Sequence, residues 1–392
     1  AILSHDRRIR VRADDSEVDW AEGGPYMVRR SRGYAPLPVM LSAGLRGEVL
    51  ALGGELKNTF CLGKDDLFYP SGYVGDLSDL RTLAALRESV DRMASLLEIA
   101  PQVVACDLHP RYQTTALAKE LGRPVRAVQH HYAHIVSCLA ENDAAGPVIG
   151  VAFDGTGYGT DGTVWGGEFL WADYGGFTRL GSLEPFPLAG GDRAAEEGWR
   201  AAVNLLGVID PARAKEEALA LGLGTEGEIA AQCLMAEKHL NCVTTTSAGR
   251  LFDAVSALLG IRRVSTFEGE AAMYLEAAAE NFGVSTALPP PLLFEAAGFF
   301  RLRGPYFSGW PWRGAKEKIR RVWRRSFTPC WRPPSWRGAG RRGKRRAFPR
   351  RPSPAAYFRI ACCFASSRKA SLPTVSRSCA IISFRLTTAG SP

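Results

Sequence analysis

Val151-Ala152-Phe153-Asp154-Gly155-Thr156-Gly157-Tyr158-Gly159-Thr160-Asp161-Gly162 is the stretch on which the fold turns. An apolar strand from Pro147 to Phe153 delivers Asp154 to its end, where a buried carboxylate needs a cation or a hydrogen-bond donor. Gly155, Gly157 and Gly159 follow, a spacing that lets backbone approach a phosphate or a metal-bound nucleotide. A calcium loop is a poor alternative, because acidic ligands are absent from the required positions. About 100 residues earlier the strand Glu48-Val49-Leu50-Ala51-Leu52 runs into Gly53-Gly54-Glu55-Leu56-Lys57-Asn58-Thr59-Phe60. Lys57 can offset phosphate charge, while Asn58 and Thr59 can donate hydrogen bonds. The GK[ST] ending of a Walker motif is missing. A plain hairpin turn with a polar rim explains this second segment equally well. The pair of strand–glycine–strand turns is more informative than either alone.

Between and beyond these turns the pattern alternates. Leu83, Leu86, Val90, Met93 and Leu97 recur at intervals of three and four, which predicts an amphipathic helix over 80–99, stopped by Pro101. Val103-Val104-Ala105-Cys106 reads as a short buried strand, and further helices fit 193–206, 226–240, 250–260 and 269–281. Strands mixed with helices, and glycines at strand ends, indicate an α/β class. Two phosphate-type turns facing each other point to the actin-like ATPase (ASKHA) fold. No repeat of 20–50 residues is evident, and no apolar run reaches the ~18 residues of a membrane span. The opening Ala1-Ile2-Leu3-Ser4 is neither a signal peptide nor an initiating methionine, as expected of a piece of something longer.

His130-His131-Tyr132-Ala133-His134 offers metal ligands. At i and i+4 on a helix, His130 and His134 project from one face; His131 with His134 is a second pairing, and coincidence a third reading. Ser247-Ala248-Gly249-Arg250-Leu251-Phe252-Asp253 places Gly249 ahead of a helix whose first amides are free, with Asp253 one turn on. Gly190-Gly191-Asp192-Arg193 is a comparable loop. The cysteines contain no CxxC pair, so Cys61, Cys106, Cys138, Cys233 and Cys242 read as reduced core residues of a cytoplasmic protein.

Together these segments resemble the HypF-type carbamoyltransferases of hydrogenase maturation. The phrases that carry the resemblance are ALGGELKNTFCL (51–62), DLHPRY (107–112), VQHHYAHIVSC (128–138), VAFDGTGYGTDGTVWGGEF (151–169), PLAGGDRAAEEGWR (187–200), SAGRLFDAVSALLG (247–260) and FEGEAAMYLE (267–276). The resemblance implies a Kae1-like transferase domain that takes carbamoyl-adenylate, made from carbamoyl phosphate and ATP at a YrdC-like site. The carbamoyl group goes to the C-terminal cysteine of a partner protein, HypE, with no membrane or nucleic acid involved. It further implies that His130 and His134 hold a divalent metal (zinc or iron). Lys57, Asn58, Asp154, Gly155, Gly191, Gly249 and Asp253 would line the nucleotide pocket, with magnesium accompanying the nucleotide. No catalytic residue is singled out. Residues 1–33 resemble the end of the YrdC-like domain, and 34–290 an incomplete Kae1-like domain. At Gly72-Tyr73 the family usually has Gln-His. Its closing LSGGVFQN-like block, and the acidic metal ligand that follows, find no match after residue 290. The expected fold is therefore truncated at its C-terminal end, and the chain's own transfer impaired.

Charge separates the last quarter from the rest. Residues 301–392 hold 19 Arg and 4 Lys against 1 Glu and no Asp, whereas the whole chain is only +9. The same stretch contains Trp310, Trp312, Trp323, Trp331 and Trp336 among ten prolines and four cysteines. Two other functions fit parts of the chain. A small-molecule O-carbamoyltransferase would also use HHxxH, but GGELKNTFCL and DLHPRY argue against it. Nucleic-acid binding through the basic tail would show steep salt dependence. GC-rich coding sequence read out of register yields this mixture of Arg, Pro, Ala, Ser, Trp and Cys, and would form a tail of low order. We expect a frameshift between about residues 283 and 303. Reading the gene in its other two frames checks this: one should encode an LSGGVFQN-like segment, and its absence from both would make the tail genuine.

Overall fold

The computed structural model describes residues 6, 7, 9, 11–21 and 24–280, and beyond them strands at 292–296, 299–303, 357–364 and 379–385. A hairpin of β1 (Glu17–Ala21) and β2 (Gly24–Arg29) precedes the first half. That half contains β3 (Val39–Met40), β4 (Glu48–Leu52), β5 (Phe60–Lys64), β6 (Leu67–Pro70), α1 (Leu80–Leu97), β7 (Val103–Asp107), α2 (Gln113–Glu120) and β8 (Val125–Val128). Its sheet has the order β3-β6-β5-β4-β7-β8, antiparallel from β4 to β6 and parallel from β4 through β7 to β8. Helix α1 forms where the spacing predicts it. The Asp79 side chain caps its first turn by accepting from Arg81 N, and Glu98 ends it in the left-handed conformation. Leu86 and Val90 then pack with Leu50, Leu62 and Val104 in one apolar core.

Helix α3 (His130–Glu141) leads into the second half. Here β9 (Val148–Tyr158), β10 (Val164–Asp173) and β11 (Gly176–Leu183) form an antiparallel meander. There follow β12 (Phe186–Ala189), α4 (Arg193–Glu196), α5 (Gly198–Ile209), α6 (Ala214–Ala220), α7 (Glu226–Glu237), β13 (Cys242–Thr245), α8 (Ala248–Leu258) and α9 (Glu270–Glu280). The last strands are β14 (Leu292–Ala296), β15 (Phe299–Arg303), β16 (Tyr357–Phe364) and β17 (Cys379–Arg385). The main sheet runs β14-β15-β11-β10-β9-β16-β17, with β13 bridging β10 and β12. Helices and mixed parallel and antiparallel strands make this the α/β class that the alternating pattern indicates. No helix among the described residues is long and apolar enough to cross a membrane.

Three local differences from the sequence reading have physical causes. The strand expected to end at Phe153 continues to Tyr158, so Gly155 and Gly157 lie inside β9 and the turn falls at 159–163. Its glycines serve close packing. The helix expected over 193–206 breaks at Glu197, whose backbone (φ −97°, ψ 76°) is not helical, giving α4 and α5. Beyond residue 290, where no elements were expected, four backbone strands extend the main sheet. Of these, β16 pairs with β9 and β15 with β11.

Helix α3 buries His131, Ile135, Cys138 and Leu139 against β9 and β10, a stripe at the spacing of one helix face. Gly150 on β9 makes this possible, because a Cβ there would stand 2.2 Å from Ile135 Cδ1. Gly150→Ala should therefore cost about 1–3 kcal/mol of stability by overpacking. Ile135→Val in the same chain should recover part of that loss. Denaturant unfolding of the four variants of this cycle checks it, and strict additivity would show that the two side chains do not compete for the same space.

Candidate metal and nucleotide site

The β7–β8 pairing and the short step from β8 into α3 assemble one side of the site. Asp107 ends β7 in register with Val128, and Gln129 caps α3 by accepting from Tyr132 N. His130 is thus the first residue of the helix and stands beside Asp107, with His130 Nδ1 2.8 Å from Asp107 Oδ2. Its other nitrogen, Nε2, lies 2.9 Å from Asp154 Oδ2 and 3.2 Å from His134 Nε2. His134 Nε2 lies 3.7 Å from the same Asp154 oxygen. Two ligands bound to one zinc ion at tetrahedral angles would be about 3.3 Å apart. The donor set of two imidazoles and a carboxylate, at 2.9–3.7 Å from one another, fits a divalent metal and leaves a fourth position for another ligand. Asp154, read as needing a cation or a donor and expected among the nucleotide contacts, stands beside the histidines.

His131 takes no part. Its ring is fully buried, Nδ1 faces Gln129 Nε2 at 3.2 Å, and Nε2 has no hydrogen-bond partner. Burial, then the neighbouring His130, lowers its pKa, so it is a neutral core residue. Of the two histidine pairings the sequence allows, the fold selects His130 with His134. Gly157 makes room for them: a Cβ there would stand 2.5 Å from His131 Cε1 and 2.9 Å from His130 Cδ2. Burial opposes charge on His130, yet hydrogen bonds to Asp107 and Asp154 outweigh it and raise its pKa to about 10. Burial likewise opposes charge on Asp154, but His130 and His134 hold it well below the ordinary carboxylate range.

Next to Asp154 the chain comes very close to α8. A Cβ on Gly249 would stand 2.7 Å from Gly155 Cα, and Ser247 Oγ, which caps α8, also reaches Asp154 O at 3.2 Å. Arg250 lies buried one residue on, 2.8 Å from Asp253 Oδ2, with Nε and Nη1 lacking hydrogen-bond partners. Asp253 is buried against the start of α5, where Gly198 accommodates it; burial raises its pKa, partly offset by Arg250. A buried network fixes the same corner. Glu168 accepts from Arg179 Nε at 2.7 Å and from Thr246 Oγ1, while Arg179 stacks on Trp165 and pairs with Asp161.

The other expected residues sit further out. Lys57, left-handed at φ 51° in the β4–β5 turn, pairs with Glu268 of the second half at 2.6 Å. Asn58 is buried within that turn, donating from Nδ2 to Gly54 O at 2.8 Å. Gly191 packs on Asn241 beside the Ala189–Cys242 end of the β12–β13 pair, whereas Thr245 and Ser247 lie at the other end. Asp107, Arg250, Glu168 and Glu268 escaped the sequence reading as site residues. Their one signal was membership of the phrases DLHPRY, SAGRLFD, VWGGEF and FEGEAAM.

Two family models match this chain: the HypF Kae1-like domain over residues 45–141, and the second subdomain of the carbamoyltransferase Kae1-like domain over 150–298. Carbamoyltransferase HypF2 of Cupriavidus necator is 45% identical over 296 residues, covering 72% of this chain and 35% of that protein. Carbamoyltransferase HypF of Rhizobium leguminosarum is 41% identical over 279 residues, 70% of this chain and 36% of its own length. This chain thus spans little more than a third of these relatives. A solved full-length HypF in the phosphate- and nucleotide-bound form superposes with a TM-score of 0.71 at 36% identity, over 77% of this chain and 46% of that one. The HypF of T. kodakarensis gives 0.65 at 33% identity, over 74% and 39%. With both halves matched by family models and the fold superposing on solved HypF structures, the chain belongs to the HypF carbamoyltransferase family, of which it carries Kae1-like sequence in both subdomains.

Proposed function

We propose that this chain provides the transfer site of a cytoplasmic HypF-type reaction. In it a carbamoyl group passes from carbamoyl-adenylate, formed from carbamoyl phosphate and ATP, to the C-terminal cysteine of a partner protein of the HypE kind. The observation that carries this reading is the convergence of His130, His134 and Asp154 beside the Gly155–Gly249 approach. A relative of known structure that carries phosphate and nucleotide supports it. In the transfer, the thiol sulfur forms a bond to the carbamoyl carbon while the carbon–oxygen bond to the phosphate breaks. AMP leaves and the thiol proton passes to solvent. A mixed anhydride brings its own leaving group, so fixed donors and a cation are enough to stabilise the developing charge.

His130, His134 and Asp154 would hold a divalent ion, zinc or iron. Bound there, it would polarise the carbamoyl carbonyl or a phosphate oxygen as a Lewis acid. The first-turn amides of α8 beside Gly155 would receive phosphate at the positive end of the helix. Lys57 would add charge from the opposite half, with magnesium accompanying the nucleotide. Its pairing with Glu268, which is 55% exposed, is worth only about 0–1 kcal/mol, so an incoming phosphate can displace it. Arg250 and Asp253 would act from behind the nucleotide by fixing the first turns of α8. Asn58 would shape the turn carrying Lys57, and Gly191 would border the pocket from the β12–β13 edge. Residues 1–33 would be the end of a YrdC-like domain and 34–290 the transferase domain; 291–392 would be read out of frame and leave its transfer impaired.

Two measurements test this. By elemental analysis the purified chain should carry one zinc or iron per molecule, and His130→Ala/His134→Ala should carry none; unchanged metal content in the double variant refutes the ligand assignment. Given carbamoyl phosphate and ATP, the chain alone should release no pyrophosphate. Carbamoyl-phosphate-dependent release would mean that it makes the adenylate itself.

A further inference from the structure

Asp107 is not one of the three candidate ligands, yet it is tied to one of them more firmly than surface acids are. It is buried at the end of β7, a strand paired on both sides, by β4 and by β8. Its Oδ1 accepts from His109 N at 2.8 Å, which fixes the carboxylate rotamer, and Thr115 Oγ1 donates to its main-chain oxygen at 3.3 Å. Leu108 N donates to Val128 O at 2.9 Å, so the residue after Asp107 is bonded to the strand end that leads into α3. The remaining oxygen, Oδ2, faces His130 Nδ1 at 2.8 Å.

We propose that Asp107 is the positioning residue of this site: it accepts the Nδ1 proton of His130 and thereby presents the Nε2 lone pair to the metal. The inference rests on the metal reading given above and adds a residue, and a role, to it. An imidazole carries a proton on one nitrogen and a lone pair on the other, and the partner of the first decides which is which. With Asp107 fixed by His109 N, the proton belongs on Nδ1. The lone pair then points at the place where Asp154 Oδ2 and His134 Nε2 meet, 2.9 and 3.2 Å away. The carboxylate also makes the ring a better donor, and losing such a partner typically costs about 10–100-fold in metal affinity. Asp107 and His130 come from the first half and Asp154 from the second, so ring orientation also decides whether the two halves share the ion.

The test uses the full chain with zinc, by competition against a chromophoric chelator, and compares Asp107→Asn with His134→Ala. The asparagine has the same shape; when its oxygen keeps the bond from His109 N, its amide turns N–H toward His130 Nδ1 and favours the wrong tautomer. We expect about 10–100-fold weaker zinc binding in Asp107→Asn and loss of binding in His134→Ala, with Asp107→Glu recovering part of the affinity. If His134→Ala abolishes binding and Asp107→Asn leaves it within about threefold, the positioning role is wrong and the metal reading stands. If His134→Ala binds zinc as the parent does, the metal reading fails and this inference with it. A measurement on the parent chain covers the case in which Asp107→Asn does not fold. Nitrogen-15 shifts of the zinc-loaded protein should show His130 protonated at Nδ1 and metallated at Nε2; metal on Nδ1 would overturn the proposal.

Discussion

Helix α3 lies against β9 at a distance that side chains would forbid at two points. Gly150 sits under Ile135, and Gly157 sits under His130 and His131. With any Cβ at these places the helix would have to lift or slide, and cores respond to such crowding by shifting backbone. The contact sets the height of His130 and His134 over Asp154, which occupies the same strand between the two glycines. Metal coordination tolerates deviations of only about 0.2 Å, so the fit of these three side chains to an ion would depend on a packing distance within the sheet–helix layer. Of the three glycines that look from sequence like a phosphate loop, Gly157 is first of all part of the floor beneath a helix.

Electrostatics gives that arrangement a direction. Asp107 and Asp154 flank one imidazole, and His131, buried behind it, stays neutral. Two carboxylates against one part-buried imidazole leave surplus negative charge in a partly enclosed corner. A divalent cation relieves the surplus, whereas an anion entering without one would increase it. Anion-receiving groups are correspondingly set to one side, at the first turn of α8 and at Lys57. Glu168, Arg179 and Thr246 hold that side in place without facing the ligands.

The sequence showed what depends on local pattern. The α1 stripe from Leu83 to Leu97, the strands read at 48–52 and 103–106, and the i, i+4 histidines follow from local pattern alone. Order along the chain and the family phrases were enough to fix the fold class. What stayed hidden depends on partners far apart in sequence. Asp107 meets His130 across 23 residues and Glu168 meets Thr246 across 78. Neither spacing has a period to betray it. Asp154 was read from its strand end as needing a cation or a donor, and the family resemblance put it in the nucleotide pocket; the strand runs on to Tyr158 and sets its carboxylate beside His130 and His134. Asn58 and Asp253, both candidates for the pocket, spend their side chains on a turn and on a buried arginine.

The two halves repeat one plan without repeating any sequence. In the first, the meander β4–β5–β6 is followed by α1, and β7 then lies parallel to β4. In the second, the meander β9–β10–β11 is followed by a longer run of helices, and β16 then lies parallel to β9. The first strand of a meander has one edge free, and an uncovered edge is a row of unpaired backbone groups. Both halves solve this with a returning parallel strand. At β7 that strand contributes a functional carboxylate at its carboxyl end, where open α/β sheets place ligands. The corresponding end of β16 is at Cys363 and Phe364, opposite Ala152 and Phe153 and just short of Asp154. The repeated topology thus sets a returning parallel strand beside the first strand of each meander, β7 beside β4 and β16 beside β9.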